Sequence, residues 1–236
     1  MAHHSHEDAQ PGWHTNPEAE IYDPEHACWS GNPNGILTQV VEEFGLDAAI
    51  TSGAVLDLGA GEGADMVWLA QRGAGKVVGI EPSPHAVRRA RAAIQSAATG
   101  ADAHSDTGIA ESTAIIQGYA PAALTEATQL LQAGGGFQLV SAMFAPIHGD
   151  PSSIEQLLQA VARGGYLLVV HHSFATTEQH SHTQPEGYVW PLQLAEYLSE
   201  QEWEVLLAEV RPNSTSNPNS KSAHHADDEV LLARKR

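Results

Sequence analysis

The sequence predicts an α/β protein, a three-layer sandwich on a seven-stranded, mostly parallel sheet with an antiparallel last strand. Three observations carry this expectation. From residue 54 onward, short apolar runs of strand length alternate with stretches of helical period, which is the pattern of right-handed strand-helix-strand crossovers. The first run leads directly into Gly59-Ala60-Gly61-Glu62-Gly63, with helical sequence behind it. The last two runs are separated by the eighteen residues from Arg211 to Asp228, which include PNSTSNPNS and show no helical period. Without a crossover helix, an antiparallel pair is the expected arrangement of those two strands.

Residues 1 to 30 are polar, contain Pro11, Pro17 and Pro24, and have no sustained period. They are expected to form an arm or lid, with residues 31–236 as a single domain. A helix should follow Asn34-Gly35, because Ile36, Val40, Val41 and Phe44 share one side at helical spacing and Gly45 is placed to end it. The apolar runs Ala54 to Leu58, Val77 to Ile80, Ala114 to Ile116, Phe137 to Ala142 and Tyr166 to Val170 read as buried strands. Helical stretches separate them at about 63–72, 84–96, 121–132 and 152–162. Ser96 to Ser112 reads as a polar surface insertion before the third strand. Pro191 can open a helix through about Ser199, and Trp203 to Val210 and Glu229 to Ala233 are the final strands.

Charge narrows the function. The 236 residues carry a formal −18, and residues 1–71 hold twelve Asp or Glu with no Lys or Arg. Such a surface repels a phosphate backbone, which argues against nucleic acid, and it offers no polybasic patch to an anionic membrane. No apolar run approaches the roughly eighteen residues of a membrane span, and the N-terminus lacks the basic and apolar regions of a secretory signal. Cys28 is the only cysteine, so no intramolecular disulfide can form. A cytoplasmic protein is expected, with oligomeric state, monomer or homodimer, left open. Hydrophobic residues make up 42% and aromatics only 6%, so the core must be mostly Ala, Val, Leu and Ile.

The chemistry is concentrated in residues 54–94. Glycines in the turn let the backbone bend sharply and let a ligand approach the main chain, while the following helix offers unbonded N–H groups. The second strand ends at Glu81, twenty-two residues after Gly59, where a carboxylate can accept both hydroxyls of a ribose. Together these features make a nucleoside-binding unit. Gly59-x-Gly61-x-x-Ala64 also satisfies the relaxed dinucleotide fingerprint, a weak match taken alone. Asp57 before the turn and Glu62 within it disfavour a pyrophosphate and suit a ligand bearing a sulfonium and an ammonium group.

These segments resemble class I S-adenosylmethionine-dependent methyltransferases. The likeness lies in Val55-Leu56-Asp57-Leu58-Gly59-Ala60-Gly61-Glu62-Gly63 and in Val78-Gly79-Ile80-Glu81-Pro82-Ser83. It extends to the fourth strand, Gly136 to Phe144, to the fifth, Ala162 to Val170, and to the reversed final pair, covering roughly residues 28–236. Trp29-Ser30-Gly31-Asn32-Pro33-Asn34 and Gly61-Glu62-Gly63-Ala64-Asp65 look most like the bacterial small-molecule enzymes of the tellurite-resistance and thiopurine methyltransferase type. The resemblance implies a Rossmann-like fold, S-adenosyl-L-methionine as methyl donor, S-adenosyl-L-homocysteine as product and a small-molecule acceptor. It implies cofactor contacts from Asp57, Gly59, Ala60, Gly61, Gly63, Glu81, Pro82, Gly118, Tyr119 and Met143. Two positions depart from the family pattern: Tyr119 stands where an acidic residue often binds the adenine amine, and Gln138 replaces the usual fourth-strand Asp.

The acceptor side is read from position. Trp29, Phe144 and His148 are candidate substrate contacts, and His171 or His172, just after the fifth strand, is a candidate catalytic base. Cys28 has no activating neighbour in the sequence, so a covalent intermediate is not expected. The fourteen histidines, with His180-x-His182 in the loop after His171-His172, raise a metal reading. No Cys cluster or HExxH spacing accompanies them, and no metal site is assigned. Two competing functions stay open at this point: an NAD-dependent oxidoreductase using the same glycine turn, and a non-catalytic, His-rich metal-binding protein.

Overall fold

Asn34 caps the first helix among the described residues. Its side chain accepts the N–H groups of Ile36 at 2.9 Å and Leu37 at 3.4 Å, a cap that stabilises a helix by about 1 kcal/mol. Helix α1 (Gly35–Glu43) buries Ile36, Leu37, Val40 and Val41, the stripe expected from the sequence. The structure, a computed structural model, describes residues 30–99, 108–131, 135–173, 186–212 and 227–236. The expected arm up to residue 29, with Trp13, Cys28 and Trp29, lies outside the described residues, as do Phe174, His180, His182 and His224-His225.

After a short α2 (Asp47–Ser52), strand and helix alternate through β1 (Ala54–Leu58), α3 (Ala64–Gln71), β2 (Lys76–Glu81), α4 (Pro84–Thr99), α5 (Ile109–Ser112) and β3 (Thr113–Gln117). The chain continues through α6 (Ala122–Gln129), β4 (Phe137–Met143), β5 (Ile147–His148), α7 (Pro151–Ala160), β6 (Val161–His172), β7 (Tyr188–Val189), α8 (Pro191–Ala195), β8 (Trp203–Pro212) and β9 (Asp227–Lys235). Seven strands form one sheet in the order β3-β2-β1-β4-β6-β9-β8, while β5 and β7 pair separately as a short antiparallel ribbon. β9 runs antiparallel to both β6 and β8, and the other pairings are parallel. The last strand therefore folds back between its two neighbours, leaving β8 on the edge with Val205 and Val210 exposed.

Strand alternation sends successive side chains to opposite faces. On one face Val55, Leu139, Leu168, Val170, Val230 and Leu232 pack against Ile36, Val40, Ile50, Met66 and Leu69 from α1, α2 and α3. On the other, Leu56, Val140, Leu167, Val169 and Leu231 meet Leu124, Ile154, Leu157 and Leu194 from α6, α7 and α8. The sandwich thus has the three layers expected, with an aliphatic core.

Differences from the sequence reading have local causes. β6 begins at Val161 rather than near Tyr166, through an irregular register against β4 where Gly164 adopts φ +78° and a Cβ on Gly165 would meet the Phe137 carbonyl at 2.8 Å. α8 stops at Ala195 instead of Ser199, because Glu196, Tyr197 and Leu198 donate three residues back, to Gln193, Leu194 and Ala195, the tighter turn that ends many helices. Among the described residues, no helix is long and apolar enough to cross a membrane.

Candidate active site

The glycine turn is fixed by the strands beside it. Gly59, Gly61 and Gly63 have φ of +76°, +53° and +86°, in the region that side chains with a Cβ disfavour. The Gly59 and Ala60 N–H groups both donate to the Ile80 carbonyl, at 2.9 and 3.0 Å. A Cβ on Gly59 would lie 2.6 Å from the Ala145 methyl, and one on Gly63 would lie 2.9 Å from the Ala90 methyl. The turn is therefore packed against β4's exit on one side and α4 on the other, and α3 begins at once behind it.

Glu81 closes the arrangement. It is 3% exposed at the end of β2, with Oε2 accepting the Gly61 N–H at 3.0 Å and Oε1 accepting the Ser83 N–H at 2.8 Å. The carboxylate thus spans the loops that follow β1 and β2. Asp57 lies 2% exposed in β1, facing Ser141 in register on β4. The Ser141 hydroxyl is 3.2 Å from both Asp57 Oδ1 and the Leu56 carbonyl and shares its one proton between them. Burial, helped by the negative charges of Asp65 and Glu81, holds the Asp57 carboxyl well above the usual range despite the Ser141 bond.

Asp65, in the first turn of α3, accepts the Asn34 N–H at 2.6 Å, so it ties the approach segment before α1 to the glycine turn. Burial pushes its carboxyl up to about 6. Asp57, Asp65 and Glu81 therefore gather three carboxyl groups around the glycine turn, and a cationic ligand there would relieve the cost of ionising them. Glu62 belongs to a different arrangement, since it pairs with Arg89 of α4 at 2.8 Å. The charge that the sequence places in the turn at Glu62 is thus locally balanced.

The other cofactor candidates rim the same sheet edge. Pro82 and the buried Ser83 follow β2. The Gly118 N–H donates to the Glu81 carbonyl at 3.1 Å, placing the exit of β3 beside that of β2, and Tyr119 next to it is 48% exposed. Met143 ends β4 on the α1–α3 side of the sheet.

Further along the edge, Phe144 takes φ +59° and donates its N–H to the Val170 carbonyl at 2.8 Å. Its ring stacks on His172, with centroids 4.4 Å apart and planes 30° apart. His172 Nδ1 is 2.8 Å from Oδ1 of Asp228, which is 1% exposed. His171, the next residue back on the strand, instead sets its ring 5.0 Å from that of Trp190. The two adjacent histidines are thereby separated: His172 joins Phe144 and the α1–α3 face, and His171 leans on α8's approach. His148 stands 5.2 Å from the Tyr188 ring in the β5–β7 ribbon. Trp29 lies outside the described residues, and among the described residues no group of three or more His, Cys, Asp or Glu could hold a metal ion.

Sequence reasoning missed Ser141 and Asp228. Ser141 was visible only as one residue of an apolar strand. Asp228 falls just before the last strand as the sequence predicts it but inside the observed β9, and its place opposite His172 depends on the antiparallel register of β6 with β9.

Sheet order, glycine turn and buried acid at the end of β2 together define a class I methyltransferase fold. Residues 55–164 match the family described as Methyltransferase domain. Solved structures share the fold. An O-methyltransferase from Bacillus cereus in complex with SAH is 14% identical, with 89% of this chain and 84% of that one covered and a TM-score of 0.60. Cofactor-bound Rv0187 from MTB is 21% identical over 84% of this chain and 79% of its own, with a TM-score of 0.55. Magnesium protoporphyrin IX methyltransferase from Synechocystis PCC 6803 with bound SAM is 18% identical over 85% and 78%, with a TM-score of 0.53. No curated protein matches the sequence.

Proposed function

We propose that this protein transfers the methyl group of S-adenosylmethionine to a small-molecule acceptor in the cytoplasm, within a single domain spanning residues 31–236. The observation that supports this best is Glu81, a nearly fully buried carboxylate bridging the Gly61 and Ser83 N–H groups at the end of β2. It suits the paired hydroxyls of a ribose. Gly59, Ala60, Gly61 and Gly63 would let the amino-acid end of the cofactor approach the main chain, with Asp57 and Asp65 supplying the negative field that favours its ammonium and sulfonium groups. Pro82, Gly118 and Tyr119 would border the adenine, and Met143 the transferred methyl.

The cofactor supplies an activated methyl group on a good leaving group. The chain's own task is to align the acceptor with it, and positioning alone can lower a barrier by several kcal/mol. Phe144 and His148 are the described acceptor-side candidates, with Trp29 and the N-terminal arm as a lid over the cleft. The approach from residues 29 to 34 and the turn at 61–65 favour the bacterial small-molecule type. Of the two catalytic candidates, His172 shares the face of Asp57, Ser141 and Met143.

A thermal-shift comparison with S-adenosylhomocysteine, NADH and zinc tests the assignment. A ligand at a hundred times its dissociation constant adds about 2.7 kcal/mol of stability. Stabilisation by S-adenosylhomocysteine alone is expected. A shift with NADH and none with S-adenosylhomocysteine would turn the glycine turn over to an oxidoreductase, and a shift with zinc alone to a metal-binding protein.

A further inference from the structure

We infer that His172 and Asp228 form a proton-accepting dyad, so that the methyl acceptor is a hydroxyl compound which loses its proton during transfer; this rests on the methyltransferase reading. The dyad is built by the sheet. The Ser173 N–H donates to the Asp227 carbonyl at 3.0 Å, which makes 173 and 227 a hydrogen-bonded pair and the preceding pair, His172 with Asp228, a non-hydrogen-bonded one. In antiparallel sheets such pairs bring side chains closest together. The result is the 2.8 Å contact between His172 Nδ1 and Asp228 Oδ1.

Phe144 stacks on the face of the imidazole, the Trp190 indole N–H donates to the His172 backbone carbonyl at 3.3 Å, and Asp228 is itself 1% exposed. A carboxylate only accepts, so Nδ1 carries the proton and Nε2, the nitrogen turned from Asp228, is the basic one. This is the arrangement by which an acid fixes the tautomer and orientation of a catalytic histidine and stabilises it when charged. Among the described residues, the charged and titratable groups around it include Asp227, Asp228 and Glu229 on β9, His171 on β6, and Arg211 on β8. Arg211 stands in register with Asp228 and bonds Glu43 and Glu209.

During transfer His172 Nε2 takes the hydroxyl proton as an oxygen lone pair forms the C–O bond. The S–CH3 bond breaks with its electron pair left on sulfur, giving neutral thioether, methyl ether and an imidazolium that later releases its proton to solvent. A thiolate would need no such base, so the dyad selects between acceptor classes. Asp228 acts through His172 and is a positioning residue.

Two measurements test the dyad on the full chain. In the first, 15N NMR of the S-adenosylhomocysteine complex, with His172 assigned from His172→Gln, should show the Nδ1–H tautomer in the native protein and a shift toward Nε2–H in Asp228→Asn. An Nε2–H tautomer in the native protein would overturn the proposal. In the second, methyl transfer is followed with catechol, phenol and benzyl alcohol against benzenethiol and benzyl mercaptan. Removing a general base costs about 10²–10⁴-fold, so His172→Gln should lower kcat for the hydroxyl probes by that order and abolish the acid limb of their pH profile. Asp228→Asn should lower kcat with little change in KM. Methylation of the thiols alone, or hydroxyl transfer unaltered by His172→Gln, would refute it. Failure of the native protein to bind S-adenosylhomocysteine would instead sink the methyltransferase reading itself.

Discussion

The two ends of the sheet's working edge are built on different principles. Around β1 and β2, the hydrogen bonds that shape the glycine turn itself join segments close in sequence: Gly59 and Ala60 to Ile80, and Glu81 to Gly61 and Ser83. Around β6 and β9, His172 meets Asp228 across 56 residues, and Phe144 and Trp190 converge on the same histidine from other strands and loops. The first region is a local, glycine-dependent cradle. The second exists only once the whole sheet has closed. On the proposed function, cofactor binding and acceptor handling rest on separable structural supports, so substitutions in one should leave the other's measurable property largely intact.

The largest expected effect comes from the cradle. Gly59→Val would force a branched side chain onto φ +76° with its Cβ 2.6 Å from the Ala145 methyl. Strain at such a position costs about 1–3 kcal/mol, and overpacking adds about 1–3 kcal/mol. Thermal denaturation should show a large fall in Tm, accompanied by lost affinity for S-adenosylhomocysteine. A variant of native stability would mean that the turn is not packed as described.

Glu81→Ala comes next. It removes the proposed ribose acceptor and leaves the Gly61 and Ser83 N–H groups without their carboxylate, a loss of about 1.5–3 kcal/mol for hydrogen bonds to a charged group. Cofactor affinity should fall by about tenfold or more, by the same conversion of free energy. Circular dichroism would verify that the variant remains folded. On the acceptor side, Phe144→Ala removes the stack on His172, worth about 0.5–1.5 kcal/mol. Turnover should fall while S-adenosylhomocysteine affinity is kept, and the reverse pattern would place Phe144 in the cofactor cradle.

Asp65→Asn should act on stability rather than on binding, with an effect visible mainly with pH. The folded carboxyl at about 6 holds its proton more tightly than an unfolded one near 3.8. The folded state therefore binds more protons between those values, and stability falls as pH rises through that window. Asn keeps an oxygen for the Asn34 N–H without the charge. Urea denaturation at pH 4 and pH 7.5 should show the variant gaining on the native protein at the higher pH, and an equal difference at both would remove Asp65 from the account.

The same division explains what the sequence made legible. Ala54–Leu58 matches its observed strand without adjustment, because a buried parallel strand is a continuous apolar run and a glycine turn bounds it. Glu81 stood out because its distance from Gly59 is set by one βαβ unit. The reversed final pair was readable from the polar stretch between residues 211 and 228, but its insertion between β6 and β8 was not, since strand order depends on which edge the hairpin folds toward. His172 was a candidate alongside His171, and only alternation across β6 distinguishes their surroundings. Asp228 gave no signal at all, because cross-strand register cannot be counted along the chain. The six-residue α2 and four-residue α5 were equally invisible, being too short to show a period.

The most direct test compares S-adenosylhomocysteine binding by isothermal titration calorimetry in Glu81→Ala and Asp228→Asn with the native protein. A cofactor cradle supported independently of the acceptor side predicts affinity about tenfold or more weaker in Glu81→Ala and native affinity in Asp228→Asn. Equal weakening in both, or native affinity in Glu81→Ala, would contradict it.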